Sequence, residues 1–68
     1  MKDFNEFKST LSESKLEEIY VVAAKQTNEY MNSRTFSDKY EEFLIMNKEL
    51  SVNITLGLLE EYHKWLNG

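Results

Sequence analysis

From Met1 to Leu56 the chain contains neither proline nor glycine; glycine stands only at positions 57 and 68, and proline nowhere. These two residues interrupt α-helices most effectively, at ~1 kcal/mol for glycine and ~3 kcal/mol for proline relative to alanine. A chain so poor in breakers is expected to be all-α, with its turns made from short polar residues. No linker, repeat or low-complexity tract divides it, so residues 1–68 read as a single helical domain.

Apolar spacing and capping residues place the helices at about 3–11, 15–32, 38–50 and 52–66, a small three- or four-helix bundle. Phe4, Phe7 and Leu11 recur on one face of the first. Ser12 or Ser14 is suited to cap the second, and Glu17 stands three residues beyond Ser14 as in a capping box. Leu16, Tyr20, Ala23, Thr27 and Tyr30 form the stripe of that helix. The polar run Asn32 to Thr35 reads as a turn, and Ser37 as the next cap, followed by the acids Asp38, Glu41 and Glu42 that complement a helix N-terminus. Beyond it, Tyr40, Phe43, Leu44, Asn47 and Leu50 are expected to face inward. Ser51 is expected to open the last helix, with Leu56, Leu59, Tyr62, His63 and Leu66 as its stripe. One segment conflicts with this: Ser51 to Leu56 alternates polar and apolar residues, as a strand would.

Sixty-eight residues form a marginal core. Domains of this size usually add a disulfide, a metal or a partner. With no cysteine and one histidine, neither a disulfide nor a self-contained zinc site is available, which leaves association. The N-terminal MKDFNEFKST lacks the cationic and apolar regions of a signal peptide, and no apolar run approaches the ~20 residues that span a bilayer. A cytoplasmic protein with no membrane partner is therefore expected.

The net charge is −4. Residues 36–68 hold six acids against three bases, and the cations are scattered singly. Nucleic-acid faces need clustered Lys and Arg. The alternative function is nonetheless a DNA-binding transcriptional regulator, because residues 40–66 could form a degenerate helix-turn-helix with Leu50-Ser51-Val52 as the turn. That motif needs a small residue in its first helix and apolar residues five and eight positions beyond the turn valine. Asn47, Gly57 and Glu60 occupy those positions, and no nucleic-acid partner is expected.

Enzymatic chemistry finds little footing. Glu60 and His63 share the Glu-x-x-His spacing of di-iron bundles, which require that pair twice with two further glutamates. The adjacent acids Glu17-Glu18, Glu41-Glu42 and Glu60-Glu61 diverge by ~100° on a helix and form no acid/base dyad. There is no glycine-rich elbow or phosphate loop. No catalytic residue, cofactor, metal or small-molecule substrate is expected.

The apolar residues carry the functional expectation. In the last two helices Ile45, Met46, Ile54, Leu58 and Trp65 lie off the inward stripes. A helix that is apolar on two sides must bury the second against something. Ile45, Met46, Ile54, Leu58, Tyr62 and Trp65 are accordingly the candidate interface, and Gly57 fits a close approach of two helices. A small non-enzymatic protein-protein interaction module follows, self-associating as a homodimer or docking on another protein, with a regulator or inhibitor acting by occlusion as its concrete form.

Overall fold

The computed structural model describes residues 2–68 and contains three helices: α1 (Phe4–Thr10), α2 (Glu13–Asn32) and α3 (Lys39–Asn67). Each begins on a side-chain cap, which satisfies backbone N–H groups that have no partner in the first turn. The Asp3 carboxylate accepts from the Asn5 N–H at 3.0 Å. Ser12 Oγ accepts from the Lys15 N–H at 3.1 Å, so α2 opens at Glu13, two residues before its expected start. Asp38, rather than Ser37, caps α3 by accepting from the Glu41 N–H at 2.8 Å. Ser37 instead turns its hydroxyl onto the Glu41 carboxylate.

The expected pair of helices at 38–50 and 52–66 is one helix of 29 residues. Leu50, Ser51 and Val52 lie inside it, so the turn of a helix-turn-helix is not formed, and the alternating segment Ser51 to Leu56 is helix rather than strand. The physical reason is local. Ser51 suits a helix start, but a helix must first stop, and Asn47-Lys48-Glu49-Leu50 supplies no glycine to end one. An interior serine costs only a few tenths of a kcal/mol. The Thr55 hydroxyl folds back onto the Ser51 carbonyl at 2.9 Å, leaving the ladder intact. Ser51→Ala should therefore stabilise the protein by about 0.5 kcal/mol through helix propensity. A capping serine would instead lose about 1 kcal/mol. The sign of the change in urea midpoint decides between the two.

α2 and α3 form an antiparallel hairpin joined by residues 33–38. Three contacts set its register. Asn53 Nδ2 donates to Thr27 Oγ1 at 3.0 Å, Ile19 meets Gly57, and Lys15 reaches Glu61 at 3.6 Å. The Thr27 hydroxyl donates in turn to the Ala23 carbonyl at 2.8 Å, so this buried polar group is satisfied in both roles. At Gly57 the backbone itself is the packing surface: a Cβ there would stand 2.9 Å from Ile19 Cγ2.

With ~1.5 Å rise per residue, α3 outreaches α2 by more than 10 Å. α1 covers the overhang. Phe7, 4% exposed, packs its ring 5.1 Å from Tyr62 and 5.6 Å from Trp65, and Phe4 meets Tyr62 edge-on at 5.7 Å. Lys2 closes this end, its ammonium 5.0 Å from the centre of the Trp65 ring and hydrogen-bonded to the Trp65 carbonyl.

Candidate interaction surface

The described residues bury few side chains: Phe7, Ile19, Ala23 and Thr27. α3, the longest helix, contributes none of them. A hairpin alone cannot enclose a helix, because α2 shields one side of α3 and α1 only its last turns.

The exposed side carries a regular apolar pattern. Ile45, Val52, Leu59 and Leu66 recur every seven residues, and Leu56 lies beside them. Ile45 is half-buried, whereas Val52, Leu56, Leu59 and Leu66 are 44%, 56%, 55% and 44% exposed. A seven-residue repeat keeps side chains on one helix face over many turns, the pattern of a seam that packs against another helix. Nearer the hairpin turn, Tyr40, Phe43 and Leu44 form a second exposed cluster.

The residues expected at an interface have other surroundings. Tyr62 and Trp65 are half-buried against α1. Ile45, Ile54 and Leu58 are also half-buried. Met46 is exposed and lines a shallow groove of about 340 Å³ with Tyr20, Met31 and Leu50. The residues expected to face inward are largely outside: Tyr40, Phe43 and Leu44 in the first half of α3, and Leu56, Leu59 and Leu66 in the second. Apolar residues lie on nearly every side of α3, so periodicity alone does not select the packed side. Gly57 does. Its backbone sits against Ile19, which turns neighbouring Asn53 toward Thr27 and leaves Val52, Leu56 and Leu59 exposed.

Charge frames the hairpin without covering this stripe. Lys15 bridges Glu18 and Glu61 at 3.7 and 3.6 Å, and Lys64 bridges Glu60 and Glu61 at 3.5 and 3.7 Å. The solvent-exposed Lys64–Glu60 pair contributes at most about 1 kcal/mol. Glu18, Glu60, Glu61 and Lys64 line a groove of about 330 Å³ between α2 and α3, together with Ile19, Ala23 and Gly57 and the exposed Val22 and Leu56. The Glu60 carboxylate is thus held by Lys64, and the His63 ring lies 3.2 Å from the Asn67 amide nitrogen. Among the described residues, no three His, Cys, Asp or Glu side chains gather where they could hold a metal ion. Likewise, none of the described helices is long and apolar enough to cross a membrane.

Comparison with known protein families, curated proteins and solved structures finds no match.

Proposed function

We propose that this protein is a small non-enzymatic interaction module, whose α3 apolar stripe pairs with another polypeptide and thereby occludes the surface it covers. The observation that carries this reading is the packing of α3. Its 29 residues include no fully buried side chain, yet Val52, Leu56, Leu59 and Leu66 leave about half their surface in water.

Area supports the same reading. A compact monomer of 8.1 kDa exposes about 4,500 Å², whereas this chain exposes 5491 Å². It buries only about 53% of its unfolded surface, against about 60% for a compact chain of this size. Its radius of gyration is 14.9 Å, against about 11 Å for a compact 68-residue domain. The surplus area belongs to an elongated hairpin, 49 × 20 × 17 Å, with a long unpartnered flank.

The test is gel filtration of the tagged protein in native lysate at low and high salt, beside a Val52→Asp/Leu59→Asp variant. The expected result is a species that elutes well ahead of the elongated tagged monomer, survives about 0.5 M salt and is lost in the variant, because apolar association is insensitive to screening. Elution of wild type and variant at the same position, that of the tagged monomer, in lysate and in isolation argues against the proposal. Loss of the larger species over that salt range points instead to phosphate contacts.

A further inference from the structure

The geometry points to one occupant for the α3 stripe: the same stripe of a second copy, running antiparallel, so that two hairpins form a four-helix bundle. This inference rests on the interaction-module reading and commits it to self-association.

The first argument is area. Each chain exposes roughly 1,000 Å² more than a compact monomer of its mass. Two copies that hide this surplus bury about 2,000 Å² together, the size at which permanent homodimer interfaces begin. From Ile45 to Leu66 the stripe runs ~31 Å along the helix. Laying two hairpins side by side there, with helix axes 8–10 Å apart, covers the open flank of each.

The second argument is self-complementarity. A two-fold interface requires residue i to meet j while j meets i. Reversal about the midpoint between Thr55 and Leu56 places Ile45 against the partner's Leu66 and Val52 against the partner's Leu59. The stripe therefore meets itself, apolar on apolar.

Charge selects the direction. In a parallel pair every residue is level with its own copy, so Glu49 stands beside the partner's Glu49 and Glu60 beside the partner's Glu60. Like charges so placed oppose association. In the antiparallel pair Glu49 is level with the partner's Tyr62, Glu60 with the partner's Ser51, and Lys48 with the partner's His63. No acid is level with an acid along the seam.

Sedimentation equilibrium over micromolar to millimolar concentration tests self-association, and single cysteines test direction. The chain has no cysteine, so only introduced thiols react. The wild type is expected at about 16 kDa, twice its 8.1 kDa. Leu59→Asp should weaken the dimer about 30-fold or more, as loss of an interface anchor does, while Phe43→Asp, in the other exposed cluster, changes it little. Circular dichroism checks that both variants remain helical. Under oxidation Thr55→Cys should cross-link to itself, because the two-fold axis passes beside it. His63→Cys alone should not, since its two copies lie ~22 Å apart, beyond disulfide reach, but it should link to Lys48→Cys when the chains are mixed.

A mass of 8.1 kDa at every concentration overturns the homodimer; a stripe-dependent complex in lysate would still leave the broader reading standing. Equal effects of Leu59→Asp and Phe43→Asp overturn the choice of stripe. Self-linking of His63→Cys as readily as Thr55→Cys overturns the antiparallel arrangement. The cysteine variants keep the stripe residues native, so that result stands even if Leu59→Asp unfolds the chain.

Discussion

Replacing Phe7 by alanine releases α1 from the hairpin and lowers the melting temperature by roughly 12–40 °C. Phe7 is the one buried side chain of α1. Seven residues cannot hold a helix by themselves, since isolated helices of fewer than about 12 residues are marginal in water. α1 therefore exists because Phe7 is seated between Tyr62 and Trp65. Truncating a buried phenylalanine costs about 3–5 kcal/mol, a large part of the ~3–10 kcal/mol that stabilises a domain of this length. Trp65 reports the event directly. Its emission should shift to the red as water reaches the ring, whereas Phe4→Ala, at an exposed position, should leave it nearly unchanged. Equal shifts for the two variants would show that α1 is not anchored through Phe7.

The distribution of such anchors explains what was legible in the sequence. α1 and α2 are marked by short-range chemistry: Asp3 and Ser12 cap them, and the break-free run from Glu13 to Asn32 meets no competing stop. Their limits accordingly fall within two residues of expectation. The start of α3 is similarly written in Asp38 and the acids after it. At position 51 a capping residue alone does not make a boundary. Serine marks a start only where the preceding helix can end, and nothing before Ser51 ends one.

The apolar character of α3 was legible in the sequence, but which of its sides faces α2 was not. An excess of apolar residues in the second half of the chain is a matter of composition, and it survives any error of phase. Which side they occupy is a matter of tertiary choice. Two apolar sides compete for α2, and hydrophobicity ranks them nearly equal. The choice turns on shape and on one hydrogen bond: the missing side chain of Gly57 admits Ile19, and Asn53 reaches Thr27. With Gly57 at the centre of the inward face of a single continuous helix, Val52, Leu56 and Leu59 are left exposed.

That choice can be tested by exchanging volume across the contact. Gly57→Val should destabilise the protein by about 2 kcal/mol, although valine is the better helix former, because overpacking costs about 1–3 kcal/mol and exceeds the few tenths gained in propensity. The clash has little room to relax. The contacted atom is Ile19 Cγ2, one bond from Cβ on a branched side chain whose χ1 is stiff in a helix. Ile19→Ala should cost about 2–4 kcal/mol by leaving a cavity. Combining the two replaces a large-small pair with a small-large pair, and total volume is roughly kept. If α2 and α3 meet in this register, the double variant should be about as stable as the better single one, a coupling of about 2–4 kcal/mol in a double-mutant cycle. Urea denaturation of the four proteins measures it. Additive losses would mean that Ile19 and Gly57 do not touch, and the α3 stripe would then have no assured exposure.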